Sequence, residues 1–248
     1  MKRIYGRKPV LEALKADEEI DQIYILYNQH SKSVNEIKKL AKRKGVKISQ
    51  VSQKKFNQLA GKENTQGIIA IKSGIKLYSF DEILDDIGKT KEPVLLLIDS
   101  VQDPHNLGAI LRSAEAAGVE GVIITARNTA PISDTVVKTS TGAVSHLKIC
   151  RVNNLVDSIK ILKKNGFWII GSALGSGKSY TEIDYSGPVA LVVGNEEKGI
   201  RKLVAENCDF LVEIPMKGKI QSLNVSVATG ILLFEILRYR AERESSKN

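Results

Sequence analysis

Apolar and polar residues follow one another along this chain in an alternating order of strand-like and helix-like segments. From Pro93 onward, short continuous apolar runs such as PVLLLID and PVALVVG alternate with segments whose apolar residues recur at helical spacing. Continuous runs are expected when helices cover both faces of a parallel sheet. The pattern predicts an α/β domain with a doubly wound, mostly parallel sheet. Its predicted strands are 94–98, 122–125, 147–150, 167–170, 189–193 and 210–214, and its predicted helices are 108–117, 135–144, 155–164, 200–205 and 223–240.

The first third of the chain shows the same alternation on a smaller scale. A helix is expected after Pro9, and a second one follows Ser33, which we take as its cap, and stops at Gly45. The remaining segments are strands at 20–27, 46–48 and 68–71, a helix around 54–59 and a short helix at 80–87. We therefore predict a small basic α/β domain over 1–75, a linker over 76–92 and a larger α/β domain over 93–248.

The basic excess of the chain lies in this first region. The whole chain has 37 Lys+Arg, 28 Asp+Glu and a formal charge of +9, and residues 1–80 contain 17 of the basic residues and 7 of the acidic ones. The remainder is therefore close to neutral. An imbalance confined to one domain favours a polyanion, RNA or DNA, as its partner. A solvated lysine-rich surface is the alternative for a single run such as that from Lys38 to Lys44.

Several classes of protein are disfavoured by what the sequence lacks. No apolar run approaches the ~20 residues that cross a bilayer, and the amino terminus does not read as a secretion signal. Cys150 and Cys208 lie far apart, and His30, His105 and His146 form no ligand pair, so neither a disulfide framework nor a metal site is indicated. We expect a cytoplasmic protein that needs no membrane and no metal.

Nucleotide-binding motifs are also incomplete. The segment GSGKS from Gly175 to Ser179 resembles part of a phosphate-binding loop, but the motif requires glycine at position 172, which is Ser172. We therefore reject nucleotide hydrolysis. The glycine fingerprint of dinucleotide dehydrogenases and of the common Rossmann-like methyltransferases does not follow any predicted strand.

Three polar, glycine-containing loops follow predicted strands of the larger domain. The first, 99–106, leads into a helix with Asn106 at the expected N-cap position and Arg112 farther along; the others are 194–199 and 214–224. Each loop has a purely structural explanation: capping by Asn106 or Ser222, a surface position for Arg112, a glycine turn at 194–199. Because ligands bind outside the carboxyl ends of such strands, we favour one shared pocket.

These loops contain the motifs NLGAILRS, LVVGNEEKGI and IPMKGKIQSLNVSVA. In that order they resemble the SpoU (TrmH-type) branch of the SPOUT RNA 2'-O-ribose methyltransferases. The early segment IYGRKPVLEAL resembles the amino-terminal domain of the RlmB-like subgroup, which methylates a guanosine of bacterial 23S rRNA. The resemblance implies a carboxyl-terminal trefoil knot, an L30e-like RNA-binding first domain, S-adenosyl-L-methionine as cofactor and a homodimer.

The resemblance also implies roles for individual residues. Arg112 would pair with an RNA phosphate and stabilise charge on the ribose oxygen, because a guanidinium does not readily act as a base. Asn106 and Glu196 would position Arg112 and the ribose. Ser222 and Asn224 would hold the nucleotide and order the cofactor loop. The residues expected to contact the cofactor through their main chain are Gly194, Ile214 and Leu223, with 173–175 as further lining.

Two alternatives stay open. A tRNA methyltransferase or a resistance-type rRNA methyltransferase of the same family would use identical chemistry on a different RNA. A protein of another class, a non-enzymatic rRNA-binding assembly factor, would use the fold for recognition and the loops for structure alone. The combination of Asn106, Arg112, Glu196 and Ser222 favours the enzyme.

Overall fold

The chain divides into two units, each with its own sheet. The computed structural model describes residues 3–16, 18–61, 63–72, 75–173, 175, 177–219 and 222–246. The first unit is Met1–Lys76 with Pro131–Asp134, and the second is Leu77–Ala130 with Thr135–Asn248.

Over its described residues, the first unit is a four-stranded mixed sheet with helices on both faces. Its elements are β1 (Arg3–Tyr5), α1 (Arg7–Lys15), β2 (Ile20–Leu26), α2 (Lys32–Arg43), β3 (Lys47–Val51), α3 (Gln53–Ala60) and β4 (Ile68–Lys72). The strand order is β1-β4-β2-β3, with β2 parallel to β3 and β4 antiparallel to β1 and β2. Helices α1 and α2 pack on one face, where Ile37 is buried, and α3 packs on the other, where Phe56 is buried.

The cap predicted for α2 is wrong by two residues. Ser31, not Ser33, has the extended backbone of an N-cap, and its side chain accepts a hydrogen bond from the main-chain N–H of Val34 at 3.3 Å. Ser33 lies inside the first turn, where its hydroxyl is 3.0 Å from that of Ser31.

The second unit contains a seven-stranded sheet, counted over the described residues. Its strands are β5 (Val94–Ile98), β6 (Gly121–Thr125), β7 (Ile149–Val152), β8 (Trp168–Ser172), β9 (Lys178–Ser179), β10 (Val189–Val193) and β11 (Phe210–Glu213). Its helices are α4 (Phe80–Ile87), α5 (Pro104–Ala116), α6 (Asp134–Thr139), α7 (Leu155–Lys164), α8 (Lys202–Ala205) and α9 (Val225–Ser245). All neighbouring strands are parallel in the order β7-β6-β5-β10-β8-β11-β9, which confirms the predicted α/β class.

Several predicted helix boundaries are wrong, for local reasons. Asn106 is not the N-cap of α5: Asp103 is, and its carboxylate accepts from the N–H of His105 at 2.7 Å, while proline occupies the first helical position. Helix α6 stops at Thr139 because Thr141 and Gly142 adopt positive φ, so a short 3-10 turn replaces its predicted end.

The last helix and two strands also begin later than predicted. Helix α9 begins at Val225, capped by Asn224 rather than by Ser222. Strand β7 begins at Ile149, not at 147, and β8 at Trp168, not at 167.

The segment predicted as a linker, 76–92, contains α4. Ile83 and Ile87 of this helix are buried in the core of the second unit, and the N–H of Tyr78 donates to the carbonyl of Ile149 at 2.9 Å. The predicted domain boundaries and the knot stay predictions. Within the described part of the chain, every helix is too short or too polar to span a membrane.

Candidate active site

The three sequence motifs meet at one edge of the second unit's sheet. Strands β5 and β10 are hydrogen-bonded neighbours, and β11 lies two strands beyond β10, with β8 between them. Because all of these strands are parallel, their carboxyl ends lie at the same edge. The loops after β5, β10 and β11 therefore start close to one another.

Three side chains, one from each motif, are joined directly by hydrogen bonds. The amide nitrogen of Asn106 donates to Oε1 of Glu196 at 2.5 Å. The amide oxygen of Asn106 accepts from Nδ2 of Asn224 at 2.9 Å. Both ends of the Asn106 amide are thus engaged, and the order Asn224–Asn106–Glu196 links α9, α5 and the loop after β10.

The loop that contains Glu196 is a tight turn closed by its own main chain. Asn195 and Gly199 exchange two hydrogen bonds, at 2.9 and 2.8 Å, and Gly199 has φ of 64°. The amide of Asn195 donates to Oε2 of Glu196 at 3.2 Å, so each carboxylate oxygen of Glu196 has a partner. A Cβ on Gly194 would lie 2.2 Å from the carbonyl carbon of Gly199, so only glycine fits there.

A buried carboxylate next to this loop is not among the predicted site residues. Asp99, the residue after β5, is fully buried. It accepts from the main-chain N–H of Arg201 at 2.9 Å and from its Nε at 2.7 Å. The main-chain N–H of Asp99 donates to the carbonyl of Val193 at 2.8 Å. Asp99 therefore holds both ends of the loop after β10 through hydrogen bonds to Val193 and Arg201. A charged residue ending an apolar strand is the sequence signal that could have found it.

Arg112 lies apart from this hydrogen-bond network. It follows Asn106 by six residues on α5, which is about 1.7 helical turns, and its side chain is exposed. No hydrogen bond or ion pair joins its guanidinium to another described residue. The structure thus brings together Asn106, Glu196 and Asn224, and it leaves Arg112 available at the surface of the same helix.

A cavity of about 270 Å³ adjoins the network. It is formed by the segments after β8 and β11 and by the start of α9. Its lining residues are Ser172, Ala173, Gly175, Glu213, Ile214, Pro215, Met216, Ser222, Leu223 and Ala228. Of the residues predicted to contact a cofactor, Ile214 and Leu223 line the cavity, and so does Ser222. Gly194 is not among its lining residues.

The cavity lining suits a ligand with an apolar ring and a positive charge. Ala173, Ile214 and Leu223 supply small or aliphatic walls, and Glu213 supplies a carboxylate. An oxygen of Glu213 also accepts from the main-chain N–H of Gly177 at 3.3 Å. Aliphatic walls next to a carboxylate fit an adenine and a sulfonium or ammonium group, so the residues present are compatible with S-adenosylmethionine.

Other reactive groups of the second unit lie outside this site. Burial raises the pKa of the Cys150 thiol to about 12 and that of Cys208 also to about 12, so both thiols are protonated at neutral pH. Both cysteines are free. No group of three His, Cys, Asp or Glu side chains suited to a metal ion occurs among the described residues.

Comparison with known proteins gives the same assignment for both parts of the chain. Residues 93–234 match the model of the SpoU rRNA methylase family, and residues 3–76 match a model described as RNA 2'-O ribose methyltransferase substrate binding. The chain belongs to the SpoU rRNA methylase family. Because these two models together span nearly all of the chain, the prediction of an RNA 2'-O-methyltransferase of this family is confirmed, whereas its RNA target is not decided.

Relatives of this SpoU protein match over almost its whole length. A TrmH family tRNA/rRNA methyltransferase of Bacillus subtilis, YacO, is 37% identical over 96% of this chain and 95% of its own. One of Staphylococcus aureus (strain COL) is 39% identical, with 96% of each chain covered. The crystal structure of AdoMet-bound rRNA methyltransferase from Sinorhizobium meliloti superposes with a TM-score of 0.61 at 29% identity, covering 96% of this chain and 87% of that one.

Proposed function

We propose that this SpoU protein transfers a methyl group from S-adenosyl-L-methionine to the 2'-hydroxyl of a guanosine ribose in bacterial 23S rRNA. One observation supports this proposal most strongly. Leu223 lines the cavity, and the next residue, Asn224, donates to Asn106, which in turn donates to Glu196. A cavity suited to the methyl donor therefore adjoins a network built from all three motifs.

In this proposal the cavity residues hold the cofactor. Ile214 and Leu223 contact it with main-chain groups and aliphatic side chains, and Glu213 faces its positive charge. When bound, the cofactor supplies a methyl group attached to a sulfonium. Gly194 acts by permitting the tight turn that positions Glu196, since a larger residue would collide with Gly199.

The network residues position the RNA ribose. Asn106 is held in one orientation because its amide donates to Glu196 and accepts from Asn224. Ser222, on the cavity wall, holds the nucleotide beside the cofactor. Fixing the sugar oxygen in line with the methyl carbon supplies part of the rate enhancement through proximity.

Arg112 provides positive charge at the ribose. Guanidinium groups stay protonated in proteins, so Arg112 binds the neighbouring phosphate and stabilises negative charge that develops on the 2'-oxygen. Its exposed side chain, without a partner among the described residues, is available for a phosphate.

The enzyme works as a homodimer in the cytoplasm in this proposal. Helix α9 exposes Val227 and Phe234 by 50% and 51%. The two residues are seven positions apart, so they share one face of the helix. A second copy of the chain would cover this apolar face, and light scattering of the purified protein would give twice the chain mass. A monomer mass would contradict the dimer.

The substrate is tested by mapping ribose methylation in rRNA and tRNA from cells with and without the gene. We expect one 2'-O-methylated guanosine to disappear from 23S rRNA. Loss from tRNA instead would overturn only the choice of RNA. If no 2'-O-methyl group disappears from any RNA, the proposed reaction is wrong for this protein.

A further inference from the structure

The substrate-binding unit exposes a predominantly basic surface on helix α2. The buried residues of this helix are Val34, Ile37 and Ala41. At 100° per residue, the side chains farthest from that buried face are Asn35, Glu36 and four cations. These cations, called here the α2 basic face, are Lys32, Lys39, Lys42 and Arg43. They are exposed and extend along about 16 Å of helix at 1.5 Å per residue.

The charge of this face is not neutralised by neighbouring acids. Glu36 is the one acidic residue in the α2 sequence, and it pairs with Lys15 of α1 at 2.8 Å. No ion pair joins the four cations of the α2 basic face to any described residue. Some other cations of the same unit do have partners: Lys72 pairs with Glu18 at 2.7 Å, and Arg7 donates to Gln29 and Gln66.

One member of the face occupies a position that does not favour folding. Lys32 is the first residue of α2, where the helix dipole is positive and a cation is unfavourable. Lys42 and Arg43 lie in the last turn, where a cation is favourable, so the dipole alone explains those two. The helix dipole does not account for a cation at Lys32. A ligand that neutralises the whole row accounts for all four.

We propose that the α2 basic face binds the phosphate backbone of the substrate RNA. This inference rests on the RNA-methylating function proposed above. RNA is favoured over an anionic membrane because the apolar face of α2 is buried in the core and cannot enter a bilayer. A row of flexible lysines contacts phosphates without reading bases, so this surface supplies affinity and orientation rather than sequence choice.

The first experiment compares two double variants of the full-length protein with equal charge. K39Q/R43Q removes two neighbouring cations of the α2 basic face. K54Q/K55Q removes two exposed lysines of α3, on the opposite face of the sheet.

Binding of an unmodified in-vitro transcript of 23S rRNA is measured over a series of KCl concentrations. We expect K39Q/R43Q to lower the slope of log affinity against log salt by about 1.4–1.8, or about 0.7–0.9 per lost phosphate contact. K54Q/K55Q should leave the slope of log affinity against log salt close to the wild-type slope.

A second variant separates binding from folding. K32E places a carboxylate at the positive end of α2, so its melting temperature should be equal to or above that of wild type. Its affinity for the transcript should nevertheless fall several-fold, and its affinity for S-adenosylmethionine should not change.

Equal effects of the two double variants, or unchanged RNA binding in K39Q/R43Q and K32E, would overturn the inference. Tighter binding of the proteins to anionic vesicles than to RNA, lost in K39Q/R43Q, would overturn it in favour of a membrane. The measurement of RNA binding does not require methyl transfer to occur. An error in the 23S assignment would therefore appear as missing methylation of the transcript, with the difference between the double variants preserved.

Discussion

Arg201 donates to the buried carboxylate of Asp99 from its main chain and from its side chain at once. Asp99 directly follows β5 and Arg201 follows the turn after β10, so this pair joins the loops that come after these two neighbouring strands. The same loop is thus fastened at its base by a buried charge and at its tip by a hydrogen bond to α5.

The first prediction concerns this pair. Arg201→Ala removes one hydrogen bond to a buried charge, which typically costs about 1.5–3 kcal/mol. The Arg201 side chain is 51% exposed, so we expect the lower end of that range in the free energy of unfolding measured with urea. Lys202→Ala, at a side chain 93% exposed, is the control and should change stability by less than about 0.5 kcal/mol. Equal losses in the two variants would contradict the role of the pair.

The second prediction concerns the turn at Gly194. Gly194→Ala places a methyl group 2.2 Å from main-chain atoms of Gly199, which cannot move without breaking the turn. We expect a loss of about 3 kcal/mol in unfolding free energy and weaker binding of S-adenosylmethionine by calorimetry. Gly218→Ala meets no atom within 4 Å and should be close to neutral. A stable Gly194→Ala protein with normal cofactor affinity would show that the turn tolerates a side chain.

The third prediction separates the two roles of Asn224. Its Oδ1 caps α9 by accepting from the N–H of Ser226 at 2.9 Å, and its Nδ2 donates to Asn106. Asn224→Asp keeps the cap but loses the donor, whereas Asn224→Ala loses both. We expect Asn224→Asp to preserve the free energy of unfolding and Asn224→Ala to lower it by about 1 kcal/mol. Both variants should lose methyl transfer, measured with labelled cofactor. If Asn224→Asp transfers methyl groups at the wild-type rate, the contact with Asn106 is not needed for the reaction.

The fourth prediction concerns Arg112. Arg112→Ala should lower kcat about 10²–10³-fold, as loss of one preorganised donor does in other enzymes, and leave the Kd of S-adenosylmethionine unchanged. Arg112→Lys keeps the charge but not the planar fork, and should recover part of the rate. Arg127→Ala, at another exposed arginine of the second unit, serves as the control. A normal kcat in Arg112→Ala would exclude the proposed role.

The fifth prediction concerns acid stability at the carboxyl end of α9. The side chain of Arg243 donates to Glu92, and this hydrogen bond holds the pKa of Glu92 below its usual value of 4.5. Because the pKa is lower in the folded state, the pair stabilises the protein fully above the unfolded-state pKa. That contribution is lost as the pH falls through the folded-state pKa.

Thermal unfolding of wild type and Glu92→Gln between about pH 7 and pH 3 tests this. The melting temperature of Glu92→Gln should be lower at neutral pH, and the difference should shrink as the pH falls below the unfolded-state pKa. Glu115→Gln, at an exposed glutamate of α5, is the matched control. A constant difference for Glu92→Gln across this range would contradict the linkage.

Much of the local structure follows directly from the sequence. The ranges of α4, β5, α7 and β10 agree with their predictions to the residue, because each is an apolar pattern bounded by clear breakers. Errors occur where several neighbouring residues could cap a helix. Near α5 the choice between Asp103 and Asn106 depends on which residue precedes the first helical turn, and the proline at position 104 favours the earlier one.

The sequence by itself determined the α/β class, the basic first region and the family, because periodicity, charge and three long motifs are properties of the chain alone. Only the tertiary structure decided which motif residues touch. Asn106 and Glu196 are 90 positions apart and Asn106 and Asn224 are 118 apart, and only the order of parallel strands brings them within hydrogen-bond distance. The sequence marks Asp99 only as a charged residue at the end of an apolar strand, and its hydrogen-bond partner Arg201, 102 positions away, is supplied by the tertiary structure.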